Sequence, residues 1–265
     1  MSLARRTVLG AALSACAAPA LAQVVTDSAP AATDAAAWKA YEARLRARLA
    51  DIGGGRADAA TGRAMLDLTN RIRRDAGSPP VNWHEELAMA ALAHAGDLAQ
   101  RSYVEHLSPE GFDPSHRLWL VGRTTIGSPS ENIAYHRGPP ISAAQMLQRL
   151  KGSSGHWKNL RRPTHTHAGY AFVTRGERYW LVGLYSRPLV SLAEPLPFLA
   201  QGPAIRRALT SLPSENRARL AIPQGSRLGK VEGDPPVMQI TALRPEGVGR
   251  FDIVGGPIFI AAEAG

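Results

Sequence analysis

The residues best equipped for chemistry are eight histidines, all of them between His84 and His167. Neutral imidazole binds Zn²⁺ through nitrogen and exchanges protons near neutral pH, so this density raises both metal and acid–base chemistry. The local zinc-hydrolase signature, HExxH on a helix, does not occur. A single cysteine, Cys16, excludes both a disulfide scaffold and a cysteine-built zinc finger. His94, inside Ala-Leu-Ala-His-Ala, reads as a packed helix residue with at most one hydrogen bond.

Three residues stand at element edges beside Gly, Ser or Pro, where side chains can converge on a cleft. His106 follows the end of a helical pattern in Glu105-His106-Leu107-Ser108-Pro109, Glu131 opens a strand after Gly127-Ser128-Pro129-Ser130, and His156 lies in Ser153-Ser154-Gly155-His156 just past another helix. Two imidazoles could coordinate Zn²⁺ with positions left open for water, and Glu131 could be a ligand, an orienting acceptor or a base. The competing structural role for Glu131 is to accept backbone N–H bonds and pin its loop. His165 and His167, two apart on an incipient strand, are expected on one face and could flank the cleft or serve as a second metal pair; the alternative is an exposed polar strand entry.

The elements that must position these side chains follow from periodicity. From Asp34, Trp38, Tyr41, Leu45, Leu49 and Ile52 draw one apolar stripe on a charged helix that Gly53-Gly54-Gly55 stops, a brace for the main domain. Helices are expected at Ala59 to Arg74, Glu85 to Arg101 and Ser142 to Lys151, with a long polar loop over residues 103–130. His167 to Thr174 and Tyr179 to Leu184 are rich in β-branched and aromatic residues, and Arg175-Gly176-Glu177 between them makes a hairpin. Beyond Pro188 the chain is Pro- and Ala-rich to about Pro223. Three short strands are then expected at Val237–Ala242, Phe251–Val254 and Pro257–Ala261, either as a separate appendage or added to the main sheet.

Among 265 residues, 31 Lys and Arg outweigh 22 Asp and Glu, a balance of +9 that favours anionic partners, here an anionic envelope component. The basic residues are scattered, without a nucleic-acid motif, so nucleic acid is not an expected partner. Met1 to Arg6 is basic, Thr7 to Ala15 is apolar, and Ala20-Leu21-Ala22 before Gln23 has the form of a signal-peptidase site. Residues 1–22 therefore read as an export signal, and Arg5-Arg6-Thr7-Val8-Leu9 resembles the twin-arginine motif. Leu13-Ser14-Ala15-Cys16 also resembles a lipobox, which would attach the protein to a membrane through lipidated Cys16. The two outcomes are a soluble periplasmic or secreted protein and a lipid-anchored one.

An ordered set of short motifs carries a family resemblance. Leu68, Asn70, Arg73, Arg74 and Gly77; Val81-Asn82-Trp83 with Leu87; Ala90, Ala93 and Asp97; His106, Pro109 and Gly111; Glu131-Asn132-Ile133-Ala134; Ser153, Gly155-His156 and Asn159-Leu160; Gly169; and Tyr179-Trp180 together resemble the CAP superfamily. That superfamily covers cysteine-rich secretory, antigen-5 and pathogenesis-related-1 proteins, and the chain is similar to its disulfide-free bacterial branch, the SCP-like extracellular proteins. The resemblance implies an α+β fold, a three-layer α-β-α sandwich, here with an N-terminal helix and a short-stranded C-terminal extension.

The resemblance covers about residues 58–188, so the layout reads as signal peptide at 1–22, linker and amphipathic helix at 23–57, CAP domain at 58–188 and extension at 189–265. The resemblance also implies a cleft lined by a His, Glu, Glu, His tetrad, to which His106, Glu131 and His156 correspond. Ser153 stands at the second glutamate position, and Leu150 replaces a helix Trp. The expected function is an exported, non-enzymatic binding or envelope-interaction protein using a cleft of His106, Glu131, His156 and Ser153. It requires no cofactor, though Zn²⁺ could bind at His106 and His156, or at His165 and His167. The alternative is a metal-dependent hydrolase using His106, Glu131 and His156. Sterol binding, known for some eukaryotic relatives, lacks an aromatic cradle, because Phe172, Tyr179, Trp180 and Tyr185 read as core.

The export reading is checked by mass spectrometry of protein from the native envelope. The N-terminus should lie at Gln23 or at a lipidated Cys16; an intact Met1 on the mature protein would remove both versions.

Overall fold

The computed structural model describes residues 35–223 and 236–262. The leader, Cys16 and most of the linker lie outside these described residues.

The first helix, α1 (Ala35–Ala50), turns its stripe inward: Trp38, Tyr41 and Leu45 are buried. Tyr41 stacks on Phe112 with ring centroids 4.1 Å apart. The helix lies across the main domain as the expected brace. After it come β1 (Arg56–Ala57), α2 (Ala59–Asp75), β2 (Asn82–Trp83) and α3 (Glu85–Arg101). Asp58 caps α2 by accepting from the Thr61 N–H at 3.0 Å. His84 caps α3, its Nδ1 accepting from the Leu87 N–H at 3.4 Å.

The stretch 103–130 is not one loop. It contains α4 (Pro114–Val121) and β3 (Thr125–Ile126). Asp113 Oδ1 accepts from the His116 N–H at 2.9 Å, while His116 Nδ1 accepts from the Asp113 N–H at 3.1 Å. Pro114 sits at the first helical position, where its missing N–H is not needed. A proline that reads as a breaker in sequence is here part of a helix start.

The chain continues through β4 (Ser130–Arg137), α5 (Ala143–Lys151), α6 (Ser154–Leu160), β5 (His167–Arg175) and β6 (Arg178–Ser186). The hairpin between β5 and β6 forms as expected, antiparallel with Arg175 opposite Arg178. The sheet runs β1-β5-β6-β4, with β2 pairing parallel to β5. Alternation divides its side chains. Ala171, Val173, Trp180, Val182 and Leu184 pack against α1, α3 and α4, whereas Ala168, Tyr170, Phe172, Leu181 and Tyr185 pack against Met65, Met146, Leu147 and Leu160 of the opposite helical layer. The result is an α-β-α sandwich. Phe172, Trp180 and Tyr185 are buried core residues, as their sequence context suggested.

The C-terminal region forms β7 (Val190–Ser191), β8 (Leu199–Ala200), α7 (Gly202–Thr210), β9 (Arg219–Ala221), β10 (Val237–Gly247) and β11 (Arg250–Ala261). The last two are long strands, not short ones, and the segments expected at 251–254 and 257–261 are one strand. They belong to a separate four-stranded sheet, β8-β11-β10-β9, rather than to the main sheet. Gly255-Gly256-Pro257 looks like a break in sequence but lies where the register shifts between Gln239 and Thr241. At such a bulge a proline without an N–H is tolerated. Gly255 is needed for packing, because a Cβ there would come within 2.4 Å of the Trp119 ring. This module is tied to the sandwich by the nearly buried Arg123, which donates to the carbonyls of Leu196 at 2.6 Å and Ile258 at 2.8 Å.

Gly169 on β5 lets α3 approach the sheet, since a Cβ would lie 2.2 Å from Ala88 N. Gly169→Ala should therefore lower stability in urea unfolding by about 1–3 kcal/mol or more through overpacking. Gly152→Ala, in ordinary αR backbone with 3.4 Å of clearance to the Arg149 carbonyl, should be neutral or slightly stabilising.

Candidate functional site

The centre of the site is the Glu131 carboxylate, 1% exposed, on β4. Arg117, projecting from α4 with a side chain 0% exposed, donates Nη2 to Glu131 Oε2 at 2.9 Å. The same guanidinium donates to the carbonyls of His106 at 2.9 Å and Phe112 at 3.1 Å. One cation thus holds β4 and both ends of the segment leading into α4.

On the other side of the carboxylate, His106 Nδ1 lies 2.8 Å from Glu131 Oε1. Burial by itself would raise the Glu131 pKa, but Arg117, then His94 and His106, outweigh it and hold it at about 2. The ionised carboxylate only accepts hydrogen bonds, so His106 Nδ1 must carry the proton. In the neutral ring this leaves the lone pair on Nε2.

His94 enters from α3, 3.9 Å from Glu131 Oε1. Its Nε2 donates to the Glu105 carbonyl at 3.0 Å. Burial, and then the Arg117 charge, push its pKa down to about 3, so it is a neutral core histidine with one hydrogen bond.

His156 faces this group from α6. Its ring centroid is 6.4 Å from that of His106, the planes inclined at 71°. Burial and the neighbouring His106 lower its pKa. Ser153 Oγ caps α6 by accepting from the His156 N–H at 3.4 Å, so the hydroxyl at the second glutamate position has a local structural partner. His156 is held by amides: Asn132 Nδ2 donates to its carbonyl at 3.0 Å, and Asn159 Nδ2 donates to Asn132 Oδ1 at 3.0 Å. Ser130 Oγ and His165 Nε2 both donate to Asn159 Oδ1, at 2.7 and 3.2 Å. Below them the buried Arg73 donates to the carbonyls of Pro79, Leu160, Arg162 and His165, fastening the turn after α6 to α2.

His106, Glu131, His156 and Ser153 are therefore brought into one neighbourhood. His165 and His167 are not paired with each other. His165 precedes β5, so strand alternation does not reach it, and its ring stacks on Tyr185 at 5.6 Å. His167 instead meets His84, with centroids 5.5 Å apart. Among the described residues no group of three His, Cys, Asp or Glu is arranged to hold a metal ion. Sequence reasoning did not single out Arg117, and it placed Asn132 and Asn159 in the motifs without assigning them a role. The signal for Arg117 was an isolated cation in the apolar run Leu118-Trp119-Leu120-Val121 after Asp113-Pro114.

The family model described as "CAP: Cysteine-rich secretory protein family" matches residues 66–185. Uncharacterized protein YkwD of Bacillus subtilis (strain 168) is 30% identical over 112 residues, 42% of this chain and 42% of that protein. Uncharacterized membrane protein YlbC of the same organism is 30% identical over 105 residues, 40% of this chain and 29% of that one. The chain thus spans less than half the length of either curated relative. A solved extracellular protein containing a SCP domain from Bacillus anthracis str. Ames is 26% identical, with a TM-score of 0.42 over 48% of this chain and 41% of that chain.

Two outcomes follow from the geometry. Glu131→Ala should destabilise the protein by about 3–5 kcal/mol in denaturant unfolding, because it leaves Arg117 buried without its counterion. Replacing both partners with apolar residues, Arg117→Met with Glu131→Leu, should recover a large part of that loss.

The folded-state pKa values of His94, His165 and Glu131 all lie below their ordinary values, at about 3, about 4 and about 2. Their contribution is full above the ordinary pKa values of 6.5 for His and 4.5 for Glu and is lost as pH falls through the depressed ones. Stability should decline steadily below pH 6.5, and His165→Gln should flatten the portion between pH 6.5 and about 4.

Proposed function

Residues 66–185 of this chain are a CAP domain, and from that premise we propose an exported, non-enzymatic binding protein of the cell envelope whose ligand site is His106 and His156. The observation that carries this reading is the burial of Glu131. Its two oxygens are engaged by Arg117 and His106, so it orients an imidazole instead of facing a reactant. Ser153 supplies no carboxylate in its place. Two imidazoles remain, one with its Nε2 lone pair set by Glu131, and they suit a ligand offering hydroxyl or amide hydrogens. The leader at residues 1–22 supports export.

The metal-dependent hydrolase reading needs three protein ligands, with a water in the open fourth position. Two imidazoles on one tetrahedral Zn²⁺ at about 2.0–2.1 Å place their centroids roughly 5 Å apart, closer than the 6.4 Å found here. With Glu131 turned toward Arg117, the residues present do not complete a catalytic zinc centre.

Zinc titration by calorimetry tests both readings. Wild type should bind weakly at about pH 7.5 and less in acid, because a protonated imidazole has no lone pair for the metal. A His106→Ala/His156→Ala double variant should not bind at this pair. Tight zinc binding, together with ester or amide hydrolysis that the double variant abolishes, would overturn the non-enzymatic reading.

A further inference from the structure

The positive charge of this protein is unevenly placed. Residues 59–80 and 141–166, which form α2, α5, α6 and their connections, hold nine Lys or Arg and two Asp, a net of +7 out of +9 for the whole sequence. Arg73 is buried at the base of this layer. Arg71, Arg74, Lys151, Lys158 and Arg162 are exposed, and Arg161 is half-exposed. None of these six pairs with a carboxylate among the described residues.

The contrast is with the other helical layer. There Arg44 pairs with Glu110, Arg46 with Glu42, Arg101 with both Asp97 and Glu110, and Arg117 with Glu131.

The elements that carry the six cations meet at their ends. Ser78, just past α2, donates to the Arg161 carbonyl at 2.8 Å, and Arg73 donates to the Arg162 carbonyl at 3.0 Å, so the end of α2 abuts the end of α6. Lys151 and Arg161 both lie over the Trp157 ring, 5.7 and 5.2 Å from its centroid. Helix dipoles account for part of the pattern, since Arg74, Lys151 and Lys158 sit in last turns. They do not account for Arg71, which precedes the last turn, or for Arg161 and Arg162, which follow α6. Crowding unpaired like charges raises the energy of the folded state, and an anionic partner would remove that penalty.

We propose that the α2–α5–α6 face is a docking surface for an extended, phosphate-bearing polyanion of the envelope, distinct from the His106/His156 cleft. Guanidinium forks match phosphate oxygens, and four of the six cations are arginines. A lipid surface fits less well: none of the exposed large apolar side chains, such as Val248, Phe251 and Ile253, lies in this layer to act as an anchor. Single-stranded nucleic acid needs open aromatic platforms for its bases, and the Trp157 ring is approached by two cations instead.

The test measures binding of the purified protein to long-chain inorganic polyphosphate. Six phosphate contacts predict a loss of about a thousandfold in affinity between about 50 and 200 mM salt. Arg74→Glu/Lys158→Glu/Arg162→Glu should weaken binding by more than about tenfold in low salt with a melting temperature that is not lowered. The control Arg56→Glu/Arg206→Glu/Arg250→Glu, which makes the same net-charge change at exposed arginines elsewhere, should weaken it by less than about threefold.

Equal losses in the two triple variants, or no binding of wild type at low salt, would overturn the proposal. So would tighter binding to single-stranded DNA of equal phosphate number, or to phosphatidylglycerol vesicles. Loss of polyphosphate binding in His106→Ala/His156→Ala, with retention in the face variant, would move the polymer into the cleft and also overturn this inference. Failure of the zinc test leaves the face unaffected, so the two readings fail separately.

Discussion

The buried ion pair between Arg117 and Glu131 is the constraint on which the site depends. Removing two charges from water is expensive, and the attraction offsets that only when the remaining donors and acceptors are also met. Here Arg117 meets the carbonyls of His106 and Phe112 as well as the carboxylate, and Glu131 meets His106 as well as the guanidinium. The pair therefore fixes the segment between α3 and α4 against the edge strand β4, and with it the position of His106. An apolar pair could give similar stability but would not choose the imidazole tautomer.

The His156 side of the site is held by a different device. Asn132 and Asn159 fasten α6 to β4, His165 and Ser130 complete the amide network, and Arg73 collects the carbonyls of the following turn. A helix of seven residues is too short to be stable alone, so its placement has to come from such tertiary contacts. Buried networks of this kind are demanding, because an unmet donor or acceptor in low dielectric is costly.

Periodicity made much of the fold legible. The stripe of Trp38, Tyr41 and Leu45, the alanine-rich face of α3 and the β5–β6 hairpin all follow from spacing and turn residues. Two failures share a cause. Pro114 and Gly255-Gly256 read as interruptions in sequence, whereas Pro114 sits at a helix start where its missing N–H costs nothing and Gly255 sits where a Cβ would meet the Trp119 ring.

For the site, the ordered motifs pointed to His106, Glu131 and His156, but not to the role of the carboxylate. That role depends on Arg117, fourteen residues earlier on a helix that the sequence concealed. A lone cation beside the apolar run Leu118-Trp119-Leu120-Val121 signals a buried arginine but does not name its carboxylate partner. His165 precedes β5, so strand alternation does not relate it to His167.

The two surfaces of interest share one short element. The start of α6 carries Ser153 as its cap and presents His156 to His106, while Lys158 and the residues just after the helix belong to the basic face. Seven helical residues span about 10 Å, so the cleft and the charged face are close neighbours. Because Arg73 and Asn159 hold α6 rigidly to α2 and β4, neither surface has to be ordered at the moment of binding, which removes one of the usual costs of recognition. Substitutions in α6 made to probe one surface therefore have to be checked for their effect on the other.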